Sequence, residues 1–233
     1  MLIKTRAIVL HQIKYGESSL IVSLYTEKYG RLTCIANGVR GKRVRFPVTF
    51  FQPLTLLEID MYYKQSRELY RIKEIYCPFH YNTIPFNIKK STIALFIAEI
   101  LYRTLQEEES NTSLFAFLFH SFQFLDTNDE GIANFHLMFL LYFSQYLGIF
   151  PEELKGIRNG IHSPELQIFN GLPDDAIEAV AIILSNPPAQ LELVELTNHS
   201  RSILLERILK FYAEHLDGLS RLKSVQILRE IFN

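Results

Sequence analysis

Residues 2–11 read LIKTRAIVLH, residues 20–26 read LIVSLYT and residues 31–37 read RLTCIAN. Each is a short run rich in β-branched and aliphatic residues, and turn residues separate them: Lys14-Tyr15-Gly16-Glu17 after the first, Tyr29-Gly30 after the second. In the first run Ile3, Ala7 and Val9 share one face, while Leu2, Ile8 and Leu10 lie toward the other. A fourth strand is predicted over about Leu54–Tyr62 and a fifth over about Glu68–Tyr76. Five short strands of this spacing suit a small closed barrel such as the OB-fold. Strand periodicity alone leaves a small sandwich or an SH3-like barrel open.

Pro78 and Pro85 bracket a linker, and beyond it the apolar period changes from two to that of a helix. Helices are predicted over Ile88–Leu105, Leu114–Leu125, Phe135–Leu147, Asp174–Leu184, Arg201–Leu216 and Lys223–Phe232. Gly148 and Pro151 stop the third of these, and Gly218 follows the fifth. Residues 151–172 carry Gly156, Gly160, Pro164 and Gly171 and read as irregular. The expected fold class is therefore α+β, with a barrel domain in residues 1–80 and an all-helical domain in residues 81–233.

Of 233 residues 48% are apolar, enough for a substantial core, yet no apolar run is long enough to span a bilayer. The early charges Lys4 and Arg6 do not suit a signal peptide. Cys34 and Cys77 form no CxxC pair, so the expected setting is a reducing cytoplasm without a disulfide framework. A net charge of −1 conceals two opposed halves. Residues 1–75 hold 13 Lys/Arg against 6 Asp/Glu, a net of +7, which leaves −8 for the remainder. A basic half on an acidic one suggests that the barrel meets a polyanion.

The sharpest local feature is GVRGKRVRF, residues 38–46, which sets Arg40, Lys42, Arg43 and Arg45 between two strands. Its arginines can contact phosphates, its glycines allow close approach, and Phe46 offers a candidate stacking face. The alternative is a solvated basic turn. Tyr62, Tyr63 and Tyr76 are further stacking candidates on strands, where tyrosines more often pack against neighbours. Enzyme signatures are missing: no phosphate-binding GxxxxGK[ST] or GxGxxG loop, no HExxH and no GxSxG. Glu107, Glu108 and Glu109 are contiguous and so point around a helix end rather than pairing for catalysis. No catalytic residue, cofactor or metal site is expected.

A family resemblance rests on ordered motifs. They are Thr5-Arg6-Ala7-Ile8-Val9-Leu10, Tyr15-Gly16-Glu17-Ser18, Leu24-Tyr25-Thr26, Tyr29-Gly30-Arg31, Ala36-Asn37-Gly38-Val39-Arg40 and Phe51-Gln52-Pro53-Leu54. Phe135-His136-Leu137 leading to Leu147-Gly148, Tyr212-Ala213-Glu214-His215-Leu216-Asp217-Gly218 and Leu222-Lys223-Ser224 continue it. Together they resemble the RecO recombination mediators over nearly the whole chain. The resemblance implies an OB-fold followed by helices, a bacterial protein of recombinational repair, and binding to single- and double-stranded DNA. It also implies annealing of complementary strands and, with RecR, help in loading RecA onto DNA coated by the single-strand binding protein SSB. The expected location is the cytoplasm, at the nucleoid during repair. Many family members carry a four-cysteine zinc motif after the segment matching Leu147–Phe150; residues 151–172 have no cysteine, so metal binding is not carried over.

On this reading the DNA contacts are Arg31, Arg40, Lys42, Arg43, Arg45 and Phe46. The acidic SSB tail is expected on the helical domain at Arg103, beside a groove lined by Phe96, Ile100 and Tyr102. Arg103 is the only base between Lys90 and Lys155, but it can equally pair with Glu99 or Glu107 one turn away. An RNA-binding OB module and a metal-dependent nuclease are the competing classes.

Overall fold

Five strands close into a barrel in the order β1-β2-β3-β5-β4: β1 (Leu2–Tyr15), β2 (Ser19–Thr26), β3 (Gly30–Ala36), β4 (Leu56–Tyr62) and β5 (Tyr70–Tyr76). Every pairing is antiparallel except β3 with β5, where Cys34 lies opposite Tyr70 and Ile35 opposite Arg71. That connectivity is the OB-type barrel, and it excludes the sandwich left open by periodicity. The computed structural model describes residues 1–41, 44–64, 67–151, 154, 171–186, 188–219 and 221–232. The predicted irregular segment 151–172 falls almost wholly outside the described residues.

Among the described residues six longer helices follow: α1 (Ile88–Thr104), α2 (Thr112–Thr127), α3 (Phe135–Tyr146), α4 (Asp174–Ser185), α5 (Asn198–His215) and α6 (Ser224–Phe232). Their starts are set by local chemistry. The Asn87 side chain accepts from the amides of Lys89 and Lys90, Asn111 accepts from Leu114, and Thr197 accepts from Ser200. Each satisfies donors that the first turn cannot pair itself. Among the described residues no helix is long and apolar enough to cross a membrane.

The alternation in β1 has a consequence that the sequence did not show. Ile3, Ala7 and Val9 fill the barrel, with Leu24, Cys34, Phe51 and Met61. Ile8 and Leu10 point outward and are nevertheless buried, because with Tyr25, Leu54 and Leu56 they join the core of the helical half. Burial on both faces makes residues 7–10 a continuous apolar run. The barrel and the helices therefore share a hydrophobic core at this seam.

Polar contacts lock the seam. Tyr102 of α1 stacks on His11 at 4.6 Å on one side, and the Arg31 guanidinium lies 4.6 Å from its ring centroid. Arg31 Nη1 also donates to the carbonyls of Tyr102 and Leu105 at 2.7 and 2.8 Å, capping α1 from the barrel. Gly30, at φ +59, lies against the chain after α1: a Cβ built there meets the Glu109 carbonyl at 2.4 Å and that of Glu107 at 2.6 Å. The Glu107–Glu109 run is therefore not only a solvated helix end, since its backbone is seated on the barrel. Leu54 occupies the third position of the turn Gln52–Thr55 with φ +65, where glycine is usual. Its side chain is fully buried in the shared core, a gain that glycine could not supply.

The linker is held by Asp126. Its carboxylate accepts from the amides of Asn82, Thr83 and Ile84 at 2.8–2.9 Å. Burial raises the pKa of this group, but the three amides and the Thr83 hydroxyl outweigh burial and hold it below the usual value. Beside it Lys90, fully buried, places its ammonium on Thr83 Oγ1, the Asp126 carbonyl and Asp129.

Candidate nucleic-acid interface

The 38–47 loop is anchored by its own backbone. The Gly38 carbonyl accepts from the amides of Arg45 and Phe46, and the Val39 amide donates to the Ser18 carbonyl at 2.8 Å. Phe46 is only 5% exposed and packs in the barrel core, so the expectation of a stacking face there is corrected. Its ring supports Arg45, whose guanidinium lies 4.9 Å from the ring centroid. Arg40 is half-buried. Lys42 and Arg43 lie outside the described residues.

Arg45 opens one wall of a cleft of about 450 Å3 lined by Arg45, Tyr62, Arg67, Arg71, Ile72 and Lys73. Four cations converge there from the β3–β4 loop, the β4–β5 loop and β5, with no carboxylate among the described residues of the lining. A β-bulge in β5 builds this wall. Asp60 pairs with Glu74 and Met61 with Ile72, so Lys73 has no residue opposite it. The bulge turns Lys73 and Glu74 both outward and leaves the Lys73 carbonyl for Arg45 Nη2. Lys73 Nζ is 3.5 Å from Glu74, a surface pair that spends part of its charge. Farther along the same two strands the character reverses: Lys4, Glu58, Asp60, Glu74, Ile75 and Tyr76 line a second, largely acidic depression.

Arg31, expected to touch DNA, is instead the brace between barrel and α1 described above. On the helical half, Phe96 and Ile100 have no exposed surface, so they line no open groove. Tyr102 faces the barrel. Arg103 Nη2 donates to Glu99 at 2.8 Å and to the Arg221 carbonyl at 2.9 Å, and Nη1 donates to the Gly218 carbonyl at 2.7 Å. It thus ties the α5–α6 loop to α1. Glu99 completes the tie by accepting from the amides of Lys223 and Ser224 and from the Ser224 hydroxyl, at the start of α6. The ion pair with Glu99 was legible as an i,i+4 spacing; the two carbonyls were not. Among the described residues no group of three or more His, Cys, Asp or Glu is placed to hold a metal ion.

Residues 1–77 match the family model "Recombination protein O N terminal", and residues 85–226 match "Recombination protein O C terminal". The chain belongs to the recombination protein O family. Among its curated relatives, each named DNA repair protein RecO, that of Flavobacterium psychrophilum is 37% identical over 244 aligned positions. Those of Bacteroides fragilis and Phocaeicola vulgatus are 36% identical over 248 positions and 34% identical over 242 positions. All three alignments cover the whole of both chains. The division between the two family models falls in the linker that Asp126 holds, between β5 and α1.

Within this RecO-family DNA repair protein, sequence reading missed Arg67 and Arg71 as members of the basic site. Both stand outside the 38–46 run that drew attention. The available signal was their strand context: Arg67 lies in the β4–β5 loop, one of the loops through which OB-folds bind oligonucleotides.

Proposed function

We propose that this RecO-family chain binds single- and double-stranded DNA through the basic cleft on its barrel and anneals complementary strands without bond chemistry. The observation that carries the reading is the convergence of Arg45, Arg67, Arg71 and Lys73 in a cleft whose described lining holds no carboxylate. Arg40, Lys42 and Arg43 add sequence-adjacent positive charge. Arginines neutralise phosphates, release counterions and let two strands approach each other. Backbone contacts of this kind tolerate any sequence, as annealing requires. Family membership supports the wider role: work with RecR in loading RecA onto SSB-coated DNA, at the nucleoid in the cytoplasm. Arg103, Phe96 and Ile100 are not retained as the SSB-tail site, because one braces a loop and two are buried.

The test is the salt dependence of single-strand binding and of annealing in an Arg45→Ala, Arg67→Ala, Arg71→Ala triple variant. Lys73 is left out because it pairs with Glu74. Three lost phosphate contacts, each worth about 0.7, lower the log–log salt slope by about 2. An unchanged slope and affinity in a normally folded variant would remove DNA from this cleft.

A further inference from the structure

We infer that Tyr62 is a stacking platform for one unpaired base, and that through it the cleft favours single-stranded over duplex DNA. This rests on the DNA reading above and goes further, since arginines alone serve both forms. Among the described residues Tyr62 is the one aromatic residue lining the cleft, at the end of β4 directly opposite Arg71. It is 48% exposed.

Its neighbours sharpen the assignment. Tyr63, next in sequence, is taken up in a ring ladder, 4.6 Å from Tyr29 and 5.1 Å from Tyr70. Tyr76, 63% exposed, sits in the depression lined by Glu58, Asp60 and Glu74, where phosphates are repelled. Of these three tyrosines, Tyr62 alone joins an open ring to a cationic wall.

The cleft, at about 450 Å3, falls within the range of roughly 300–1,000 Å3 in which small-molecule sites lie, so one nucleotide fits its scale. A duplex hides its base faces inside the stack and offers only edges and backbone. A tyrosine face can therefore engage a base only when that base is unpaired. Once annealing pairs the base, this contact is lost while phosphate contacts persist. The duplex product is then held less tightly than its strands.

The experiment compares fluorescence anisotropy titrations of a labelled single strand and a blunt duplex of equal length. The proteins are wild type, Tyr62→Ala, Tyr62→Phe and the triple arginine variant. Loss of one stacked base, about 1–3 kcal/mol, corresponds to roughly a 5- to 150-fold weaker single-strand complex for Tyr62→Ala. Duplex affinity and the salt slope stay at wild-type values, and Tyr62→Phe keeps single-strand affinity. A single strand carrying 2-aminopurine shows fluorescence quenching with wild type that Tyr62→Ala removes. Equal weakening of both DNA forms by Tyr62→Ala, or of neither, overturns the stacking role. If the arginine variant weakens binding and Tyr62→Ala does not, the DNA reading stands and this inference fails. If wild type binds neither DNA, both fail.

Discussion

His136 gives the barrel's partner domain a built-in sensitivity to mild acid. Its imidazole lies buried between the Phe96 and Phe232 rings, at centroid distances of 6.1 and 6.0 Å. Nδ1 has no hydrogen-bond partner among the described residues. Burial, with the Arg201 guanidinium adding repulsion, lowers its pKa from 6.5 to about 3. Arg201 is itself buried, and its acceptors among the described residues are neutral: the Asn134 and Asn198 side chains and the Leu196 carbonyl. It therefore offers no negative charge to offset an imidazolium.

Because the folded-state pKa is depressed, the unfolded chain binds the proton first as pH falls. Stability is fully present above the unfolded value of 6.5 and declines as pH drops from there toward 3. Each unit below 6.5 costs about 1.4 kcal/mol, so the loss from pH 7 is about 1 kcal/mol at about pH 5.5 and about 2 at about pH 5. Urea unfolding at these three pH values, followed by circular dichroism, measures it. Glu99 and Asp126, whose pKa values are lowered from 4.5 and 3.8, lose their contributions only at lower pH and do not enter this window. In a His136→Phe variant the decline between pH 7 and 5 disappears, whatever its absolute stability. A decline of the same size in the variant would show that another group titrates, and the argument from His136 would fall.

Gly30→Ala is expected to cost about 2–5 kcal/mol, combining a left-handed φ with a Cβ forced into the carbonyls of Glu107 and Glu109. Thermal unfolding checks it; a wild-type midpoint would show that the chain after α1 is not seated on the barrel. Asp126→Ala strands three amides of the linker and should destabilise by about 3 kcal/mol or more. Hydrogen exchange at Asn82, Thr83 and Ile84 should accelerate in parallel, and protection at wild-type level would contradict the role given to the carboxylate.

The strands and helices were legible because each carries its own period. The predicted helix Ile88–Leu105 forms as Ile88–Thr104, and Phe135–Leu147 forms as Phe135–Tyr146. The strand expected over Leu54–Tyr62 begins two residues later: Leu54 sits in a turn with φ +65, which breaks the extended conformation there even though its amide donates to the Val9 carbonyl of β1 at 2.7 Å. The excess of positive charge in the first half was equally plain from composition. The members of the basic cleft were only partly so. Arg45 stands out in the 38–46 run, whereas Arg67, Arg71 and the separation of Tyr62 from Tyr63 carry no comparable local signal.

What the sequence determined by itself is what local periodicity, turn chemistry and net charge can carry: five strands, then helices, and a basic barrel. What only the tertiary structure decided is which face each side chain presents to what. Arg31, Arg103 and Phe46 looked like binding residues as types, yet long-range packing gave them carbonyls and core to meet. A one-residue bulge in β5 turned Lys73 and Glu74 outward together and left a carbonyl for Arg45. A side chain's role depends on partners distant in the chain, such as Arg31 with Leu105 or Arg103 with Gly218, and no local pattern encodes those meetings.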